Sequence, residues 1–312
     1  MSHPKLEFKA PEQLLAHLAS RGMIFRDQTR ALRQLSRVGY YRLAAYWYPF
    51  RRDVVDPSDQ TDTFIDGTDF EEVHSFYIFD KDLRNFLNDP IERVEVAIRA
   101  ALAEVIGKRD SVGHRNEKLM HWPKSNRLSF QKWLEQQDRH FARSNSDFAQ
   151  HFRKKYSALH PPIWIAKEVW DWGLAAHLVN GLRGTLSDEV ANYFSVSTGD
   201  LIGSWVKTLN TLRNDCAHHS RVWNRGYSLS PRLPGPGQVP ELAHLQSLTP
   251  QQINRVYTQI VILLYLCKNL YPETRMHERL AEFIENRSPK SNLIGLKSAG
   301  FPEDWRSNII WK

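Results

Sequence analysis

Apolar residues recur at intervals of three and four along most of the chain, which is the spacing of an amphipathic helix. The segment that begins at residue 70 shows this spacing clearly, with apolar positions at Phe70, Val73, Phe76, Tyr77, Leu83, Phe86 and Leu87. Pro90 is expected to kink or restart that helix before it continues to Gly107. Patterns typical of β-strands are sparse. The sequence therefore predicts an all-α protein.

Residues that start and stop helices divide the chain into shorter units. Pro11 and Gly22 bracket a first helix, and Asp27 can cap a second helix that runs to Gly39. Further helices are predicted near 40–50, 129–156, 163–180, 187–194, 198–224, 250–271 and 273–287. We expect an N-terminal helical region over 1–69, a helical bundle over 70–287, and an irregular tail over 288–312 with two exposed Trp residues.

Composition and charge narrow the class of protein. The chain has 312 residues, of which 41% are hydrophobic, and its net charge is +7. This charge modestly favours an anionic partner, nucleic acid first. No apolar run reaches the roughly 18–20 residues of a membrane span, and the N-terminus lacks the apolar core of a signal peptide. With only Cys216 and Cys267, which form no disulfide or zinc pattern, we expect a cytoplasmic protein without a membrane segment.

The stretch LRNDCAHHSRVWNR, residues 212–225, concentrates polar groups in a segment that otherwise resembles a helix. If the helix continues to 224, one face carries Asn214, His218, Arg221 and Arg225, opposite the buried stripe that includes Cys216. Arg213 lies at the edge of that face. His219 leans towards the apolar side, which favours a packed, structural histidine over a catalytic one.

These side chains suit the cleavage of RNA without a metal ion. His218 can move a proton near neutral pH, Arg213 can stabilise charge on a phosphorane, and Asn214 can orient either of them. Arg221 is expected to contact phosphate. The ribose 2′-hydroxyl would attack its own phosphate and leave a 2′,3′-cyclic phosphate and a 5′-hydroxyl. The alternative is that a helix face rich in Arg and His is simply solvated.

The same residues resemble a known family. RNDCAHH fits the R-N-x-x-x-H motif of HEPN ribonucleases, and RNDCAHHSRVWNR resembles the longer form found in Abi-like proteins, the abortive-infection AbiD/AbiF group. Four other segments resemble further blocks of that family, in the expected order: VGYYRLAAYWYPF at 38–50, HSFYIFDKDLR at 74–84, IERVEVAIR at 91–99 and PPIWIAKEVWDWG at 161–173.

The resemblance implies a HEPN-type helical bundle with additional N-terminal helices. It implies a homodimer in which two motifs face each other in one composite site, and a role in antiphage defence through RNA cleavage. Carried over by position, Arg213, Asn214 and His218 match the catalytic motif. The supporting positions of the longer Abi-type string are His219, Arg221 and Asn224.

Two further groups of residues are candidates. Glu95 can orient the Arg or His of the motif, or it can form only an ion pair with Arg99 one turn away. The aromatic residues of 40–50 can stack RNA bases, or they can pack a core. Around them, three arginines are the predicted RNA-contacting residues: Arg42, Arg51 and Arg52. Glu168, on the predicted helix over 163–180, is a candidate buried polar partner for an Arg of the motif.

The sequence contains no phosphate-binding glycine loop and no metalloprotease or hydrolase motif, so we expect no cofactor and no metal. Three hypotheses remain. The first is a metal-independent endoribonuclease. The second is a non-catalytic module that holds a structured or regulatory RNA, and it would tolerate loss of His218 better than loss of the three arginines. The third is a protein–protein adaptor without salt-dependent RNA affinity.

Overall fold

The computed structural model describes residues 8–52, 62–123, 128–157, 159–291 and 294–312. Within these residues the chain forms α-helices and short 3₁₀ turns, and its β-structure consists of three isolated bridges, Ile24–Asp69, Arg51–Phe64 and Met120–Leu182. The prediction of an all-α protein is confirmed.

The helices follow one another along the chain in a simple order. They are α1 (Pro11–Ser20), α2 (Gln28–Val38), α3 (Tyr40–Trp47), α4 (Phe70–Gly107), α5 (Phe130–Arg143), α6 (Asp147–Lys155), α7 (Ile163–Ala166), α8 (Trp172–Gly181), α9 (Gly184–Asn192), α10 (Gly199–Ala217), α11 (Pro250–Ile253), α12 (Val256–Leu270) and α13 (Met276–Arg287).

Side-chain caps explain where several helices begin. Asp27 accepts a hydrogen bond from the Arg30 amide at 2.9 Å at the start of α2, as the sequence predicts. Asp69 caps α4 through the Glu71 amide at 2.7 Å. Thr198 caps α10 through the Leu201 amide at 3.3 Å. Each cap supplies an acceptor for one of the amides that a helix start leaves without a partner.

Helix α4 is the longest element, with 38 residues, and Pro90 lies inside it. The helix does not restart at this proline. Pro90 is buried, and its carbonyl accepts a weak hydrogen bond from Cys267 Sγ of α12 at 3.5 Å. A proline removes one amide donor from a helix, and packing of α4 on α10 and α12 stabilises the helix despite that loss.

Helix α10 lies at the centre of the bundle, where it packs on α4, α8, α9 and α12. Its inward face carries large apolar side chains at helical spacing, including Ile202, Trp205, Leu209 and Leu212. The indole of Trp205 donates to the Arg232 carbonyl at 2.8 Å, so its only polar atom is satisfied inside the core. This packing fixes the direction in which α10 points its C-terminal end.

The predicted helix over 129–156 is interrupted. Ser144 and Ser146 separate α5 from α6, and their hydroxyl oxygens lie 2.8 Å apart. Arg153 of α6 donates to the carbonyls of Phe141 and Ser144 at 2.6 and 2.8 Å, so it satisfies acceptors at the end of α5. Short serine side chains compete with the helix for backbone hydrogen bonds, which is why the chain turns here.

The predicted exposure of the tail tryptophans is wrong. Trp305 and Trp311 are 6% and 0% exposed, and their ring centroids lie 4.8 Å apart. Both lie in 3₁₀ turns of three residues, which are too short to show a periodicity in the sequence. One hydrophobic core includes these residues together with Leu18 and Leu43 of the N-terminal helices.

The division of the chain into an N-terminal region, a helical bundle and a tail, with boundaries after residues 69 and 287, stays a prediction. No helix of the described residues is long and apolar enough to cross a membrane.

Candidate active site

The helix that carries the R-N-x-x-x-H motif ends inside the motif. Helix α10 stops at Ala217, His218 is its C-cap, and His219 has a positive φ of 58°. The His219 amide donates to the Cys216 carbonyl at 3.2 Å, and the Ser220 amide donates to the Asp215 carbonyl at 2.8 Å. These two bonds form a Schellman turn, which reverses the chain. The predicted helix over 198–224 is therefore wrong beyond Ala217.

A histidine at the left-handed position explains why the sequence conceals this helix end. Glycine usually occupies this position, because a side chain is disfavoured at positive φ. His219 provides no such signal, and apolar Val222 and Trp223 continue the helical spacing beyond the turn. The side chain of His219 is exposed. The prediction that it lies towards the apolar side of the helix is therefore wrong. The described contacts of His219 are made by its backbone.

Only part of the predicted polar face exists. Asn214 and His218 lie on successive turns, with the His218 amide donating to the Asn214 carbonyl at 2.9 Å, and both side chains are exposed. Arg221 and Arg225 lie beyond the turn, so they do not continue this face. The structure brings the three residues of the core motif together at the end of α10.

Arg213 is held by a carboxylate of α4. Its Nε lies 3.4 Å from Glu95 Oε2, and the other oxygen of Glu95 lies 3.4 Å from Arg99 Nη2. Arg99 also donates to the Trp170 carbonyl at 3.2 Å, which positions it from a third segment. Glu95 is mostly buried, so this pairing is less exposed to water than a surface ion pair. Glu95 thus contacts both Arg99 and Arg213, and its role in orienting the motif stays a prediction.

A buried aspartate holds the chain that follows the turn. Asp80 of α4 is fully buried and accepts hydrogen bonds from the Val222 and Trp223 amides at 3.1 and 2.6 Å. Its other oxygen accepts from the Tyr46 hydroxyl at 2.6 Å and from Arg84. Burial raises the pKa of Asp80, and Arg84 and the hydrogen-bond donors oppose that shift.

No role for Asp80 was predicted, although the sequence places this charged residue among apolar ones. Asp80 stands in the apolar stripe of α4, four residues after Phe76 and three before Leu83, where a charge is buried. A charge in such a position is expected to be paired. Its partner is Arg84, which lies one turn later and is 4% exposed. The interval of four residues between Asp80 and Arg84 could have identified this pair from the sequence.

Helix α3 contacts the turn from the other side. Arg42 Nη1 donates to the His219 carbonyl at 2.6 Å, while the rest of its side chain is exposed. Arg221 donates to the Ala45 carbonyl and is half-buried. Burial lowers the pKa of Arg221. Arg221 thus points into the protein, and this placement does not support the predicted contact with phosphate.

The last residues of the motif string also make internal contacts. Asn224 has a positive φ of 50°, and its side-chain oxygen accepts from Arg255 at 3.4 Å. Arg225 Nη1 lies 2.5 Å from Oδ1 of the buried Asp215. Burial raises the pKa of Asp215, and the Arg225 partner opposes that shift. These residues position the turn rather than face the solvent beside Asn214.

The other two predicted RNA-contacting arginines pair with acidic residues. Arg51 forms an ion pair with Asp62 and lies 5.1 Å from the Tyr48 ring centroid. Arg52 Nη2 lies 2.5 Å from Asp66. These carboxylates partly neutralise the two arginines, whereas Arg42 has a direct contact with the motif. RNA contact by Arg51 and Arg52 stays a prediction.

Glu168 does not reach the motif. It is exposed and pairs with Lys167, so the expectation of a buried partner is wrong. The physical reason is that the predicted helix over 163–180 is divided: α7 ends at Ala166, a 3₁₀ turn covers Lys167–Val169, and α8 starts at Trp172. The turn instead directs the Trp170 carbonyl towards Arg99.

The core motif presents the Arg213 guanidinium, the Asn214 amide and the His218 imidazole at this surface, and the exposed side chains of Arg42 and His219 are nearby. Among the residues that the structure describes, no group of three or more His, Cys, Asp or Glu side chains could hold a metal ion. Cys216 lies beneath the motif, and burial raises the pKa of its thiol to about 12, so it is not a thiolate nucleophile at neutral pH. The imidazole and guanidinium groups of the motif are suited to proton transfer and to the stabilisation of an anion.

No curated protein and no solved structure matches the chain. The model of a family described as Abi-like protein matches residues 33–224, more than half of the chain. The match begins in α2 and ends at Asn224, one residue before the end of the motif string. The chain therefore belongs to the Abi-like protein family.

Proposed function

We propose that this protein is a metal-independent endoribonuclease of the HEPN type that acts in abortive-infection defence. The observation that carries the proposal is the end of α10, where Asn214 and His218 are exposed beside Arg213 and where Glu95 holds the Arg213 guanidinium at 3.4 Å. Membership of the Abi-like family supports the role in defence.

The proposed reaction is a transesterification within the RNA strand. A general base takes the proton of the ribose 2′-hydroxyl, and the 2′-oxygen attacks the neighbouring phosphorus. The bond from phosphorus to the 5′-oxygen breaks, and a general acid donates a proton to that oxygen. His218 performs one of these proton transfers, Arg213 stabilises the negative charge of the phosphorane, and Asn214 orients His218 or the phosphate. The products are a 2′,3′-cyclic phosphate and a 5′-hydroxyl.

A homodimer would supply the second proton-transfer group. One copy presents a single His218 at an open surface, and the outer face of α10 leaves Lys207, Asn214, Ala217 and His218 exposed. Two such faces related by a twofold axis would place two histidines around one phosphate. We expect sedimentation to show a dimer, and mixing of Arg213→Ala with His218→Ala subunits to restore part of the activity.

Mapping of RNA ends in cells tests the proposal directly. Cells expressing the wild type should accumulate new 5′-hydroxyl ends, and cells expressing Arg213→Ala/His218→Ala should not. A matched control is Arg139→Ala/His151→Ala, which removes an exposed Arg and His from α5 and α6 and should cleave like the wild type. The measurement is repeated during phage infection. If the wild type and the motif variant give the same ends in both conditions, the protein is not a nuclease.

The alternative is an RNA-binding module without catalysis, and the exposure of Arg42 beside the motif favours it as the second candidate. Such a module would bind RNA with an affinity that falls steeply with salt. It would tolerate His218→Ala, and it would lose affinity when Arg42, Arg51 and Arg52 are replaced together.

A further inference from the structure

Helix α3 and the turn after it divide their aromatic residues between two environments. Tyr46, Trp47 and Phe50 are buried in the core, at 5%, 2% and 0% exposure. Tyr41 is 86% exposed and Tyr48 is 64% exposed. Core packing therefore accounts for one face of this segment, and the exposed tyrosines need another explanation.

Tyr41 is exposed but not without support. Its ring meets the Tyr40 ring edge-on, with centroids 5.5 Å apart and planes at 83°. Tyr40 in turn packs against the buried Trp47 at 5.0 Å. An aromatic ring with a supported edge and open solvent on most of its surface is suited to stacking with a planar group.

The position of Tyr41 relative to the motif follows from its neighbour. Arg42 donates to the His219 carbonyl at 2.6 Å. Tyr41 precedes Arg42, so its Cα lies one residue step of about 3.8 Å from the anchor of that side chain. Arg42 uses one nitrogen for the carbonyl, and the other nitrogens of the guanidinium can bind a phosphate.

The charge around Tyr41 is complementary to a nucleic acid. From Gln28 to Arg52 the sequence contains six arginines and no Asp or Glu. Three of the six pair with acidic residues from outside this segment, Glu71, Asp62 and Asp66, and the other three are Arg33, Arg37 and Arg42. Arg33 and Arg37 are exposed on α2, just before the Gly39 that leads into α3. An exposed aromatic ring within a positively charged segment is the arrangement with which proteins bind unpaired nucleotides.

We propose that Tyr41 stacks with an unpaired base of the RNA beside the bond that is cleaved, while Arg42 binds a neighbouring phosphate. The substrate is then single-stranded at this point, because the bases of a duplex are stacked on each other and cannot offer a face to the ring. The proposal rests on the proposed function, since it names the class of RNA that the same site accepts.

Binding measurements on an inactive protein test this inference. The Arg213→Ala/His218→Ala protein is titrated into a fluorescently labelled single-stranded RNA of mixed sequence and into the duplex of the same sequence. We expect tighter binding to the single strand. Adding Tyr41→Ala should weaken single-strand binding roughly 5- to 150-fold, the range that follows from losing one base–aromatic stack, and should leave duplex binding unchanged.

Two controls separate stacking from other effects. Tyr41→Phe keeps the ring and should retain the affinity. Tyr156→Ala removes an exposed tyrosine on which Lys155 lies at 5.2 Å, and it should also retain the affinity because it leaves the motif region unchanged. Sedimentation of each variant shows whether Tyr41 instead contributes to an interface between protein copies.

The outcomes distinguish this proposal from the proposed function. Three results would each overturn the stacking role. The inactive protein could bind the single strand equally well with and without Tyr41→Ala, it could bind no RNA at all, or replacement of Tyr41 could dissociate a dimer. If Tyr41-dependent binding is present but the wild type cleaves no RNA, stacking stands and the nuclease proposal fails. If the wild type cleaves RNA and Tyr41→Ala cleaves single strands equally well, the nuclease proposal stands and stacking fails.

Discussion

Replacement of Asp80 by Asn tests how the segment after the motif is held. The carboxylate accepts hydrogen bonds from Tyr46, Arg84 and the amides of Val222 and Trp223, and all of its surface is buried. An amide has nearly the same shape but no charge, and only one of its ends can accept. If the oxygen faces the two backbone amides, the amide nitrogen faces the Tyr46 hydroxyl and the Arg84 guanidinium.

The size of the effect follows from what happens to Arg84. This guanidinium is 4% exposed, and besides Asp80 it contacts the Tyr46 hydroxyl at 3.5 Å. The substitution thus leaves a buried positive charge without its counterion. Breaking a buried ion pair in this way costs about 3–5 kcal/mol, a large part of the roughly 5–15 kcal/mol that keeps a typical domain folded.

Urea unfolding followed by tryptophan fluorescence and circular dichroism measures this loss. The matched control is Asp82→Asn, two residues along α4, because the Asp82 side chain is 40% exposed and lies 3.9 Å from Lys81. We expect the control to unfold within about 0.5 kcal/mol of the wild type. Trypsin should also cut Asp80→Asn faster after Arg221, because the anchor of Val222 and Trp223 is lost.

A double variant makes the interpretation sharper. Removal of both charges in Asp80→Asn/Arg84→Met should recover much of the stability that Asp80→Asn loses, because no unpaired charge remains buried. If Asp80→Asn unfolds within about 1 kcal/mol of the wild type, the carboxyl is protonated in the native protein. The argument that a charged Asp80 carboxylate holds the segment after the motif would then be refuted.

The remaining predictions concern the site and the stability of the bundle. Glu95→Gln should lower kcat/KM for RNA on the order of 10- to 100-fold by misplacing Arg213, whereas the exposed Glu92→Gln should not; equal rates would contradict the role of Glu95. Cleavage should persist in excess EDTA, and its loss with recovery on adding Mg²⁺ would refute a metal-independent reaction. Burial lowers the pKa of His114 from 6.5 to about 3. Below pH 6.5 this histidine therefore binds a proton in the unfolded chain but stays neutral in the folded chain, and the free energy of unfolding falls as the pH drops. Between about pH 7.5 and about pH 5 the wild type should lose about 2 kcal/mol more stability than His114→Gln, and equal losses would contradict the buried neutral histidine.

The sequence predicted what depends on periodicity and on local caps. The all-α class, the start of α2 at Asp27 and the course of α4 beyond Pro90 to Gly107 follow from the spacing of apolar residues and from cap residues. The grouping of Arg213, Asn214 and His218 also follows, because all three lie on the last two turns of one helix or at its cap. Such features require only neighbours along the chain.

Features that depend on distant contacts or on unusual backbone were not predictable in this way. The end of α10 depends on His219 at positive φ, a position that its residue type does not announce. The directions of Arg221 and Arg225 follow from that turn and from their acceptors, Ala45 and Asp215. Periodicity describes which side of a helix a residue occupies, and it has no meaning once the helix has ended.

The catalytic candidates are exposed, and the groups that hold them are buried. His218 stands at the last turn of a helix, where a chain frays unless it is tied down. Three ties hold it here: Asp80 binds the amides of Val222 and Trp223, Arg42 binds the His219 carbonyl, and Arg225 pairs with Asp215. None of the three ties uses the side chain of Arg213, Asn214 or His218. A site that stabilises a transition state must be positioned before the substrate arrives, so the longer string matters because it fixes the turn. We therefore expect variants of Asp80 and Arg225 to lower kcat in proportion to how far they loosen the turn, even though neither residue touches the RNA phosphate.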